Sequence, residues 1–329
     1  MKQNKKLFSV ENCKFAELES KFVRNLNVSK YVPLNFSSEI PSGKINSSFS
    51  QKVKGQNKDK DLDESEDISE KKIVPSSERK FAHSFPAGTQ AGNFFHDTFE
   101  NIDFSKNEHR DVIEAQLKKH GIKKADSILA QEIILATLRV ELNKHKGESF
   151  RLSQLKPENM IPEMEFHINS PDFSFSELGQ HLAKTNSSCI FTSYLTNKND
   201  SNSLQVNQQF FKGFIDLTFK INNQYFIIDW KSNLLTGEQE AFEATALPGA
   251  MLDADYLLQY HLYILALHRH LKTTLQGQYN YMENLGGAYY LFLRGIHKPN
   301  NQDDGIFFDC PAESVIEAMD QFLSPESTS

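Results

Sequence analysis

The chain has 329 residues, 39% hydrophobic and 24% charged, with a formal net charge of −7. That is enough length for one large domain or two small ones and an ordinary composition for a soluble protein. The three cysteines, Cys13, Cys189 and Cys310, are far apart without a C-x-x-C pair, which argues against a zinc cluster or a disulfide framework and fits the cytoplasm. No apolar run approaches a membrane span, and the N-terminus "MKQNKKLFSVENCKF" has no apolar core of a signal peptide.

Residues 1–40 show no sustained period, and 41–80 are rich in Ser, Lys, Asp, Glu and Asn, the composition of a flexible linker. Within it, "DKDLDESEDISE" at 59–70 has seven acids and one lysine, a net charge close to that of the whole chain, and leaves the rest near neutral in sum. Bulk electrostatics therefore do not drive strong DNA binding; a DNA-processing role needs a metal, a local groove or a partner that delivers the strand. The folded part is expected over 81–329.

From Gly88 the spacing turns helical, with Phe95, Phe99 and Ile102 on one face. A second helix, "NEHRDVIEAQLKKHG", stops at Gly121, and a third, "DSILAQEIILATLRVELNKHKG", is expected from Asp126 as N-cap to Gly147. Pro157 and Pro162 end the helical pattern. "EMEFHI" at 163–168 alternates as a strand, and "SFSELGQHLAKT" suggests a helix. "FFKGFIDLTFKI" and "QYFIIDWK" are two strands joined by a turn at Asn222–Asn223. "DADYLLQYHLYILALHRHL" is an apolar helix, with a kink or break expected ahead of it near Pro248 and Gly249. "GGAYYLFLRG" is a buried strand and "AESVIEAMDQFL" a closing amphipathic helix. Helices, a short mixed sheet and more helices make an α/β fold.

The chemistry concentrates in the hairpin. Asp229 and Lys231 are two apart on one strand and share a face, and Asp216 lies on the preceding strand. Two carboxylates held together repel unless a cation lies between them, and oxygen ligands suit Mg²⁺. An ordinary salt-bridged hairpin explains the same three charges, because short D-x-K matches are common by chance.

The wider context resembles the RecB-type nucleases of the PD-(D/E)xK group. The resemblance runs from about Phe81 to Leu323 and is dense across 211–296. It implies a restriction-endonuclease-like core, a short mixed sheet flanked by helices behind a helical N-terminal portion. "GNFFH" matches the family's G-x-x-x-H motif, so His96 resembles a metal-binding histidine. "EMEF" matches E-x-F, making Glu165 resemble an acidic residue at the edge of the site. Gly213 to Asp216 matches G-x-x-D, and Asp229, Trp230 and Lys231 match D-[YW]-K. Asp216 and Asp229 thereby resemble metal ligands and Lys231 the catalytic lysine. Gln259, Tyr260 and Tyr263 match Q-Y-x-x-Y, where a polar pair can bind phosphate or orient Lys231. Arg294 in "FLRG" is a further candidate for phosphate contact, whereas His261, His268 and His270 read as packing or surface residues.

The resemblance implies an Mg²⁺-dependent exodeoxyribonuclease acting on single-stranded DNA or linear ends and leaving 5′-phosphates, in recombinational repair of double-strand breaks. The partners implied are RecC- and RecD-like subunits and a RecB helicase portion. No G-x-x-x-x-G-K-[ST] loop is present, so no motor is expected in this chain. A catalytically silent module of the same fold, acting in docking or DNA binding, is the alternative.

Overall fold

The structure, a computed structural model, describes residues 47–48, 85–143, 149–170, 173–184, 189–197, 209–235, 239–296 and 303–324. The expectations for 1–40, and for 41–80 apart from Ser47–Ser48, lie outside these residues.

Three helices come first: α1 (Thr89–Asn101), α2 (Arg110–Lys119) and α3 (Ser127–Arg139). Ala91, Phe94, Phe95, Thr98 and Phe99 form the buried stripe of α1, at the spacing of one helix face. Gly121 ends α2 at φ 68°, a left-handed angle that glycine adopts without penalty, and the Ile122 N–H returns to the Leu117 carbonyl.

The third helix is shorter than its sequence pattern. It stops at Arg139, and Leu142–Asn143 then pairs antiparallel with Ser149–Phe150. Helical formers such as Glu141 lose to packing here, because Leu142 and Phe150 are both buried in the core under α1–α3. Asp126 does sit at the N-cap position of α3, but its side chain makes no capping bond.

Among the described residues the sheet has five main strands in sequential order. They are β1 (Met160–Ser170), β2 (Gln209–Ile221), β3 (Gln224–Lys231), β4 (Leu285–Phe292) and β5 (Ile306–Asp309). Neighbours are antiparallel except β3 and β4, which are parallel; Ser47–Ser48 adds a two-residue strand parallel to β2. The β2–β3 turn falls at Asn222–Asn223, with Asn222 at φ 54°, an angle that asparagine tolerates better than most residues.

Helices cover both faces. One core joins α1–α3 to Leu217, Phe219, Phe226, Ile228, Trp230, Tyr289 and Leu291. The other joins Ile227, Ala288, Tyr290 and Phe292 to α4 (Phe175–Ala183), α5 (Ile190–Asn197), α6 (Leu247–Asp253), α7 (Tyr256–Thr274) and a closing α8 (Glu313–Phe322). The expected break near Pro248 lies later: Pro248 is accommodated in the first turn of α6, and the chain turns at Asp255, φ 58°, before α7. No helix among the described residues is long and apolar enough to cross a membrane.

Candidate metal centre and active site

The site forms where two strands leave their regular course. The β2–β3 ladder runs from Ile221 opposite Gln224 to Leu217 opposite Ile228. One step further, the Trp230 N–H donates to Asp216 Oδ2 at 2.8 Å, so a side chain takes the role of a backbone acceptor. β2 also changes face here. Leu217 and Phe219 pack under α1–α3, whereas Ile215, which would share their face in a regular strand, packs in the opposite core. β1 does the same: Met160 packs toward α1–α3, Phe166 and Ile168 toward α7. Between them Glu163 has φ 48°, a left-handed angle rare for a residue with a long side chain.

His96 arrives from α1. Phe99, one turn on, stacks on Trp230 with centroids 4.1 Å apart and the planes within 17°, which fixes α1 against β3. His96 Nδ1 then lies 3.3 Å from Asp216 Oδ1. Donor atoms of His96, Glu163 and Asp216 all lie within 4.8 Å of one another. One imidazole nitrogen and two carboxylates in this space fit a divalent cation of the Mg²⁺ or Mn²⁺ kind by donor chemistry.

The electrostatics point the same way. Burial, and then repulsion from Asp216, push the Glu163 carboxyl up to about 7. Burial opposes charge on His96, but Asp216 overrides it and holds the imidazole up at about 9; 35% of the side chain stays exposed, so water screens part of this attraction. His96 therefore stands in as the positive charge among carboxylates that repel each other, the situation a bound cation relieves.

Asp229 and Lys231 occupy the α7 side of β3. Asp229 is 2% exposed, and its Oδ2 lies 2.6 Å from Lys231 Nζ. Burial pushes the Asp229 carboxyl up against the pull of Lys231; burial likewise opposes the ammonium, and Asp229 more than offsets it. Lys231 is held from three further directions. Gln259 Oε1 accepts from Nζ at 3.3 Å, and the Tyr256 ring centroid lies 4.0 Å and the Tyr290 centroid 5.3 Å from it. Gln259 is fixed in turn, accepting from the Tyr290 hydroxyl and donating to Tyr263, each at 2.9 Å.

The sequence candidates thus divide. His96, Asp216, Asp229, Lys231, Gln259 and Tyr263 come together. Glu165 does not: it is exposed and pairs with Lys212 and His167, each at 2.8 Å, and the carboxylate beside His96 and Asp216 is Glu163. In a regular strand the two glutamates would share a face; the left-handed turn at Glu163 separates them. Tyr260 points away from Lys231 and donates to Asp309 at 2.7 Å. Arg294 cannot reach a phosphate, because it is 1% exposed and donates to the carbonyls of Ser232, Phe85 and Pro86. His261 and His268 are buried and His270 is exposed, as the sequence suggested. Glu163, Tyr256 and Tyr290 escaped sequence reasoning; the signals present were the first glutamate of "EMEF", a tyrosine ahead of the Q-Y-x-x-Y stretch and one inside the buried strand.

Comparison with known proteins gives a consistent result. The family model of the PD-(D/E)XK nuclease superfamily matches residues 76–323. The RecBCD enzyme subunit RecB of Escherichia coli (strain K12) is 34% identical over 243 residues, covering 74% of this chain and 20% of that protein. The RecB subunit of Buchnera aphidicola subsp. Schizaphis graminum is 29% identical over 272 residues, 83% of this chain and 22% of the relative. The RecB subunit of Haemophilus influenzae is 30% identical over 237 residues, 71% and 18%. The chain spans about a fifth of the length of these relatives.

Proposed function

The chain belongs to the PD-(D/E)XK nuclease superfamily, and from that premise we propose that it is a divalent-metal-dependent nuclease of the RecB type that cuts DNA. The observation that carries this reading is the convergence of His96, Glu163 and Asp216 beside a buried Asp229–Lys231 pair. Likeness to RecB subunits over most of the chain supports the choice of DNA as substrate.

In this reading His96, Glu163 and Asp216 hold the cation, with Asp229 as the remaining carboxylate. Mg²⁺ bound there would supply Lewis acidity toward a phosphate oxygen. Lys231 presents a fixed positive charge, locked by Asp229, Gln259 and Tyr256. Such a charge stabilises negative charge building on the phosphate, and its N–H groups orient an attacking water. Gln259, Tyr263 and Tyr290 hold the lysine in place and touch no reacting atom.

The finer assignments rest on the same likeness. They are exonuclease action on single strands or linear ends, a role in recombinational repair in the cytoplasm, and assembly with RecC- and RecD-like subunits and a RecB helicase portion. Residues 41–80 are proposed as an acidic tether to such a portion, ahead of a nuclease domain over 81–329.

The test is cleavage of linear single-stranded DNA with Mg²⁺ by the full chain, Asp229→Ala and Lys231→Ala. The expected result is cleavage by the parent, lost in EDTA, with each variant slowed at least about a hundredfold, as removal of a group stabilising developing charge does elsewhere. Equal cleavage by all three would overturn the assignment, and no cleavage by the parent would favour a silent module of the same fold.

A further inference from the structure

The first half of β2 presents an open face that leads into the candidate site. Opposite residues of β1 and β2 share a face, and His167 lies opposite Lys212 and Glu165 opposite Phe214. The other face of this stretch is closed: Phe166, Ile168 and Ile215 are buried in the α7-side core. On the open face Phe214 is 42% exposed, and among the described residues no aromatic ring packs against it. Its immediate neighbours are polar, with Lys212 Nζ 5.1 Å from the ring centroid and Lys212 itself paired to Glu165.

An exposed phenylalanine among charges does not need explanation by itself. Its position does. Phe214 is two residues before Asp216, so the two positions are about 7 Å apart along the strand. The strand under the ring is also tightly packed. A side chain at Gly213 would meet the Phe166 ring at 2.5 Å, and that ring packs edge-on against Tyr263, the partner of Gln259. Phe214 is therefore an aromatic face at fixed reach from the place where a scissile phosphate would bind.

We propose that Phe214 is a substrate-positioning residue, a platform on which an unpaired base next to the scissile phosphate stacks, with Lys212 at its rim toward the DNA backbone. The inference rests on the nuclease reading for its orientation toward the cut but makes a separate claim about binding. Bases inside a duplex already have both faces covered by neighbours, so only an unpaired nucleotide can use the ring. The Lys212–Glu165 pairing leaves this strip with little net charge, so stacking rather than attraction to phosphate carries the contact.

The experiment is fluorescence anisotropy in EDTA, where cleavage is blocked. A labelled short oligo(dT) strand and a blunt duplex are titrated with the full chain, Phe214→Ala, Phe214→Leu and Phe214→Trp. We expect Phe214→Ala and Phe214→Leu to weaken single-strand binding about tenfold, Phe214→Trp to retain it, and blunt-duplex binding to stay unchanged. Unfolding midpoints and Mn²⁺ binding should match the parent, since the ring is exposed and no candidate ligand. Unchanged single-strand binding by Phe214→Ala, or an equal loss on both DNAs, would overturn the platform even if Mg²⁺-dependent cleavage is confirmed. Conversely, a loss confined to the single strand supports the platform even if the parent does not cut, in which case the nuclease reading fails alone.

Discussion

Glu163 holds φ 48° in the middle of a strand, next to Asp216 and His96. A long side chain in that backbone region costs on the order of 1–3 kcal/mol, and such strain persists where surrounding packing over-determines it. Glu165, two residues on, is exposed and tied to Lys212 and His167, which hold its carboxyl below the usual range. The two glutamates should accordingly separate in kinetics. Glu163→Gln is expected to lower Mg²⁺-dependent cleavage by roughly tenfold or more, whereas Glu165→Gln stays within about twofold of the parent. Initial rates across an Mg²⁺ titration check this, and an equal effect of both changes would return Glu165 to the site. His261 gives a second residue-level expectation, on stability. It is 2% exposed, stacks on Phe191 at 3.6 Å between centroids, and burial pulls its pKa down to about 3. The unfolded chain takes up this proton below about pH 6.5, so the folded state loses stability as pH falls from there toward 3. His261→Phe keeps the stack and removes the titration. Its acid-unfolding midpoint, followed by circular dichroism, should lie at lower pH than the parent's; a midpoint at or above the parent's would contradict the account. Asp216, Asp229 and Lys231 were legible from sequence because charges stand out in apolar strands. Glu163 was not, because period-two alternation cannot register a left-handed residue that reverses the face.

At the scale of elements, α1 is positioned by two devices on opposite sides of His96. One is the Phe99–Trp230 stack; the other is Arg294, which ties the Phe85–Pro86 entry of α1 to the end of β3 through three carbonyls. Replacing Arg294 by Met leaves those carbonyls without their buried donor. A loss of about 3 kcal/mol or more is expected, seen as a lower urea midpoint with unchanged slope. Arg294→Lys should recover only part of it, because one ammonium cannot reproduce the planar fork. Full stability in Arg294→Met would remove the tie from the account. The sequence offered this arginine in "FLRG" as a phosphate contact; only the packing of 85–86 against it reveals the other use. The β2–β3 hairpin was read to the residue at its turn, since alternating apolar runs around "NN" leave little choice. The end of α3 was misjudged by several residues, because "VELNKHKG" has helical propensity and the burial of Leu142 opposes it.

At the scale of the whole described part, the sheet is the middle layer and the site opens at the edge of its β2–β3 ladder. One helical layer delivers His96 and the other locks Lys231 through Gln259 and Tyr256. The α/β class followed from the order of helical and strand patterns, while the meeting of α1 with β1 and β2 required tertiary structure. The acidic run at 59–70 is offset by the lysines around it, so the net negative charge lies within 85–329, in agreement with a site proposed to act through a local cation and not through a basic surface. The central claim is that His96, Glu163 and Asp216 form one cation site. Isothermal titration of Mn²⁺ into the full chain and into Asp216→Ala, at neutral pH and without DNA, tests it most directly. The account predicts saturable binding by the parent and at least a roughly tenfold weaker affinity in the variant; identical binding by the two proteins, or none by the parent, would contradict it.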